Sequence, residues 1–140
     1  MAAEARVLVV ANRTAESPEL LEALRTRTVQ GPCAFTLVIP STPHGLGWAA
    51  DMHGGGEEAE QHRAAFVEEL RVAGLNVEDA KVGDPDPLAA IQDECNFSEY
   101  DEVIVSTLPL HISKWLRIDL PRKAKAATGL PVTHVVGSES

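Results

Sequence analysis

The sequence predicts an α/β fold: one open, doubly wound, five-stranded parallel sheet with helices on both faces. Two observations carry this. Short, valine-rich apolar runs recur along the chain, and segments with helical spacing separate them. Several runs are apolar at successive positions rather than alternating, which is the pattern of a parallel strand covered on both faces. Regular β-α alternation implies a parallel sheet, and right-handed crossovers open it into the doubly wound form. The 140 residues suit a single domain over 1–140, with no internal repeat.

Arg6-Val7-Leu8-Val9-Val10-Ala11 reads as the first strand, buried on both faces and therefore central. Ser17-Pro18 is an N-cap candidate with proline at the first helical position, and Leu20, Leu21 and Leu24 mark one face of the helix expected to follow. Gly31-Pro32 precedes a second buried strand, Phe35-Thr36-Leu37-Val38-Ile39, ending at Pro40. Residues 41–56, with Gly45, Gly47 and Gly54-Gly55-Gly56, read as a long mobile loop holding Trp48 and Met52. Ala59, Phe66, Leu70 and Ala73 then recur at helical spacing before a stop at Gly74. Residues 75–82 alternate apolar and polar, as a half-exposed edge strand does. A Gly83-Asp84-Pro85-Asp86-Pro87 turn feeds a short helix carrying Leu88, Ile91 and Cys95. Glu102-Val103-Ile104-Val105-Ser106 is the fourth strand. A polar loop over 107–119, a helix over about 120–128 and a strand Val132–Val136 complete the order, before a short polar tail expected to fray.

Twelve basic against twenty-one acidic residues leave a net charge of −9, which argues against nucleic acid and against anionic membrane surfaces as partners. No apolar run is long enough to span a bilayer, and the N-terminus lacks the pattern of a signal peptide. Cys33 and Cys95 form neither a metal-ligand spacing nor a redox motif, so reduced thiols and a cytoplasmic location are expected.

Laid out in this order, the chain resembles the universal stress protein family over nearly its whole length. The local signatures are the strand, Gly-Asp-Pro turn and helix start of residues 77–91, the run Tyr100-Asp101-Glu102-Val103-Ile104-Val105, and the Leu130-Pro131-Val132 opening of the last strand. The resemblance implies strand order 3-2-1-4-5 and homodimers paired through the last strand. It also implies one branch that binds ATP and another that does not.

The ATP branch carries a glycine, two residues, a second glycine, nine residues, then Gly-Ser or Gly-Thr. Glycines let the backbone close on phosphates, and the helix N-terminus that follows adds amides and dipole. The same spacing falls here on Thr107, Leu110, Leu120 and Pro121. Every glycine is replaced, Leu110 is bulky where close approach is needed, and Pro121 has no N–H. The family's acidic residue after the first strand falls on Asn12, and its adenine-contacting position falls on Ile39, where a backbone contact remains available. ATP binding by the family's glycine loop is therefore expected to be lost.

Five of the basic residues, Lys114, Arg117, Arg122, Lys123 and Lys125, fall within 114–125, while residues 57–102 hold fourteen acidic and three basic residues. This polarity has three readings: a solvated helix face, a docking surface for an acidic protein, or an anion grip. In the last, Lys114 and Arg117 replace the glycine amides and Ser106, Thr107 and Ser113 add hydroxyl donors. Trp115 reads as a packing anchor or as part of a dimer interface. His44, Asp51, His53 and His62 match no compact metal-ligand pattern, and no partner for His111 or His134 is readable. No nucleophile elbow and no catalytic constellation stands out.

The expected protein is thus a non-catalytic, stress-related regulatory or interaction protein, a cytoplasmic homodimer with a degenerate nucleotide loop. The alternative is an adenine-nucleotide or other anion binder using Asn12, Ile39, Ser106, Thr107, Ser113, Lys114 and Arg117.

Overall fold

The computed structural model describes residues 4–11, 18–40, 54–83, 86–107 and 119–136. They form β1 (Ala5–Val10), α1 (Pro18–Gln30), β2 (Cys33–Pro40), α2 (Gly54–Val72), β3 (Val77–Gly83), α3 (Pro87–Phe97), β4 (Glu102–Thr107), α4 (Leu120–Thr128) and β5 (Val132–Val136). The five strands make one sheet in the order β3-β2-β1-β4-β5, every neighbouring pair parallel. The expected α/β architecture and strand order are both present, with β1 at the centre and β3 and β5 at the edges.

The period of two along β1 explains why that strand reads as continuously apolar. Val7 and Val9 enter one core with Phe35, Leu37 and Ile39 from β2, Leu20 and Leu24 from α1, and Phe66 and Leu70 from α2. Leu8 and Val10 enter the other, with Val38, Val103 and Val105, Ile91 from α3, and Leu120 and Ala124 from α4. Two apolar layers need both alternating sets to be hydrophobic, so the alternation visible in a one-faced strand disappears. On the outer strand β3 it returns in part: Val77 is buried while Glu78 and Asp79 are exposed.

Helix ends follow their local chemistry. Gly74 adopts φ +87, a left-handed geometry that terminates α2, and its N–H bonds Arg71 O at 3.0 Å. Asp86 caps α3 by accepting the Leu88 N–H at 3.0 Å, with Pro87 filling the first turn where no N–H is needed. Gly83 closes β3 under α3: a Cβ there would lie 2.9 Å from Val38 Cγ1 and 3.1 Å from Ala90 Cβ.

Two expectations need correction. The triple glycine Gly54-Gly55-Gly56 is not loop but the first turn of α2. Glycine's helix penalty is a weak local preference, which the nineteen-residue amphipathic segment overrides. Thr107 is not the start of a loop either; it pairs with Val136 and ends β4. Residues 41–53, including Trp48, Met52, His44, Asp51 and His53, lie outside the described residues, as do Asp84, Pro85 and the tail 137–140.

Candidate functional site

In an open α/β sheet the ligand crevice lies beyond the carboxyl ends of the strands, where the order of connection reverses. Here that point falls between β1 and β4, because β1 leads outward to β2 on one side and β4 leads to β5 on the other. Val10 is level with Val38 on β2 and with Val105 on β4. One step further, Ala11, Ile39 and Ser106 line up across the three strands, all of them buried. The Ala11 N–H donates to Val38 O at 3.2 Å and extends the ladder past the end of β1.

Among the residues singled out from sequence, the structure brings together Ile39, Ser106 and Thr107. Asn12, Ser113, Lys114 and Arg117 lie outside the described residues, with Leu110, His111 and Trp115. The Ile39 side chain belongs to the core beneath α1 and α2, so only its backbone is available to the crevice. Thr107 is 2% exposed, and its Oγ1 lies 2.7 Å from His134 Nε2 on β5. Partial burial holds the His134 imidazole below its ordinary pKa. This pairing was not legible in the sequence, because the two residues are neighbours only once β4 and β5 are in register.

The start of α4 carries the positions on which the family's Gly-Ser falls. Asp119 is the one non-glycine residue with positive φ among the described residues, at φ 56 and ψ 48. Its carbonyl accepts the Lys123 N–H at 3.1 Å, and its side chain makes no capping bond. Leu120 is fully buried in the core with Ile91, Tyr100 and Val105. Pro121 follows in the first turn. The pair that falls on the family's Gly-Ser therefore supplies a core side chain and a residue with no amide donor. Arg122, Lys123 and Lys125 are exposed along α4, and Arg122 Nη1 reaches Asp119 Oδ2 at 3.6 Å.

A second polar group, unforeseen from sequence, lies on the α3 side of the sheet. Glu94 Oε1 accepts from Tyr100 Oη at 2.8 Å and from Lys81 Nζ at 2.9 Å. Lys81 Nζ also stands 4.9 Å from the Phe97 ring centroid, and the Arg6 guanidinium stands 5.2 Å from that of Tyr100. Desolvation and the bond to Glu94 push the Tyr100 phenol well above its ordinary value of 10.0. A signal for this cluster was present: Glu94 continues the buried phase of α3 set by Pro87, Ala90 and Ile91. No buried side-chain nitrogen or oxygen lacks a hydrogen-bond partner among the described residues.

No family model and no curated protein sequence matches the chain. Solved structures share its fold. The universal stress protein from Archaeoglobus fulgidus is 16% identical with a TM-score of 0.62, over 94% of this chain and 93% of the other. A structure of the universal stress protein from the same organism in complex with dAMP is 18% identical with a TM-score of 0.59, over 96% and 99%. A universal stress protein family protein from Arabidopsis thaliana with AMP bound is 16% identical with a TM-score of 0.61, over 95% and 92%. The chain is thus a universal-stress-protein-like domain in its fold, with the five-stranded parallel sheet in the order 3-2-1-4-5.

Proposed function

We propose that this chain is a non-catalytic regulatory or interaction protein of universal stress protein type, in which ATP binding through the glycine loop has been lost. The observation that carries the reading is the buried Leu120 followed by Pro121 at the start of α4. A phosphate seated on a glycine turn needs open backbone and N–H donors at that place. Here a core side chain and a proline stand there instead. Thr107 adds to this, since its hydroxyl, at the first glycine position of the motif, bonds His134 across the strands. In this reading the chain is one domain, acts in the cytoplasm with its thiols reduced, and pairs with a second copy through β5. Its basic stretch then faces solvent or an acidic protein partner.

A second reading is favoured by the ligands of the neighbours, dAMP in the Archaeoglobus fulgidus protein and AMP in the Arabidopsis thaliana protein. Under it the crevice takes an adenine nucleotide or another anion, with Lys114 and Arg117 in place of the glycine amides. Calorimetry with ATP plus magnesium, and separately with AMP, decides between them. The first reading expects no binding tighter than about 0.1 mM, roughly 5.5 kcal/mol. A micromolar constant that disappears in the Lys114→Ala/Arg117→Ala double variant establishes the second.

A further inference from the structure

The two edges of the sheet differ in a way that selects one of them for pairing. β3 carries Glu78, Asp79 and Lys81 within seven residues, and the Ala80 N–H is taken by Asp79 Oδ1 at 2.8 Å. Charges on an edge, and an edge amide bonded by its own chain, discourage a second strand. β5 is Val-Thr-His-Val-Val and carries no carboxylate, lysine or arginine.

The ladder says which groups of β5 are free to pair. Val103 N–H donates to Pro131 O at 2.9 Å, so the odd-numbered residues Pro131, Thr133 and Val135 turn their backbone groups toward β4. Backbone groups of successive strand residues point to opposite sides. The N–H and C=O of Val132, His134 and Val136 therefore face outward, in a row symmetric about His134. An antiparallel partner bonds all three residues in only one self-complementary register: Val132 against the partner's Val136, His134 against the partner's His134, and Val136 against the partner's Val132. Those three side chains share one face of the sheet. Val136 is 44% exposed, and Val132 is partly buried against the α4 core. Two valine pairs thus flank a central pair of imidazoles, with Cα atoms about 5.5 Å apart in a hydrogen-bonded antiparallel pair.

We infer that two copies of this chain pair along β5 about a two-fold axis at His134, and that protonation of the two facing imidazoles separates them. The inference rests on the β5 pairing of the proposed function and adds its register and its control. Neutral imidazoles pack between the valine pairs, whereas two imidazolium groups directly opposite repel. The elements against β5 are β4, α4 and α1. Beside His134, β4 presents Val105 and Thr107, neither charged at neutral pH. On the same face α4 carries Arg122, Lys123 and Lys125, all exposed to solvent, and Asp119, which lies near Arg122. The charged groups of α1, Glu19, Glu22, Arg25 and Arg27, belong to the opposite face. Burial already lowers the His134 pKa in the single chain. Dissociation takes up protons, so pairing is complete above the ordinary imidazole range and lost as pH falls through it.

Sedimentation velocity of the intact chain at pH 8 and pH 5, with circular dichroism to confirm folding at both, tests this. The expected result is a dimer at pH 8 whose dissociation constant rises by at least about tenfold at pH 5. His134→Gln is expected to dimerise equally at both values, and His134→Arg to be monomeric at both. A wild-type monomer at pH 8 overturns the pairing itself, and the proposed dimer with it. An undiminished wild-type dimer at pH 5, or a His134→Gln variant that keeps the pH dependence, overturns the role of His134 and leaves the pairing standing.

Discussion

Tyr100 donates its hydroxyl hydrogen bond to Glu94 Oε1 at 2.8 Å, joining the segment before β4 to the buried face of α3. Both residues are buried, and Lys81 from the outer strand reaches the same oxygen. A phenol donating to a carboxylate away from water resists ionisation, because its anion would face a like charge. Tyr100 is the chain's single tyrosine, so absorbance near the phenolate band reports on it alone. As pH is raised past the ordinary value of 10.0, the folded protein is expected to show no phenolate until it unfolds. The raised native pKa contributes stability present below the unfolded pKa and lost as pH climbs above it. A phenolate signal rising near the ordinary value with circular dichroism unchanged would contradict this. Tyr100→Phe is expected to cost about 2 kcal/mol in urea unfolding at pH 7, typical of a bond to a charged acceptor.

Gly83 closes β3 with less room than a methyl group needs. Gly83→Ala is expected to destabilise the protein by about 1–3 kcal/mol through forced displacement of Val38 and α3. The decisive measurement is a double-mutant cycle with Val38→Ala, which removes the nearer obstacle. The two losses are expected to be clearly less than additive; strict additivity would show that the crowding at Val38 is not the cause.

Arg27 on α1 donates its Nε–H to Glu102 Oε1 on β4 at 2.7 Å, with both side chains mostly sheltered. The coupling energy from an Arg27→Ala and Glu102→Ala cycle is expected to be about 1 kcal/mol, at the upper end for pairs still in touch with solvent. It is expected to weaken in molar salt. A coupling of zero at low salt would mark the pair as incidental.

Leu120→Ala is expected to cost about 2–4 kcal/mol, as deletion of a fully buried leucine does. The same variant is expected to leave an ATP titration flat. Normal stability together with newly gained ATP affinity would show that Leu120 blocks a phosphate seat rather than filling a core.

The apolar runs made the fold legible because each strand's environment is written in its own residues. The unbroken apolar run of β1 marks a central strand, and the polar alternation of β3 marks an edge. Helix stops at Gly74 and the Asp86-Pro87 start were legible for the same local reason. The triple glycine misled because propensity was read there without the helix that follows. The candidate site was legible only as a spacing. Thr107–His134 and Lys81–Glu94–Tyr100 join residues far apart in sequence, and their meeting depends on the register of strands and the phase of α3.

The charges on β3 have a consequence for the size of the assembly. A sheet able to pair at both margins is a bifunctional monomer, and its growth continues into a filament. With Glu78, Asp79 and Lys81 on one margin, the proposed pairing along β5 would use the less charged of the two sheet edges. In the proposed dimer the two five-stranded sheets would form one sheet of ten strands, bounded at either end by the charged β3, which disfavours addition of a third copy.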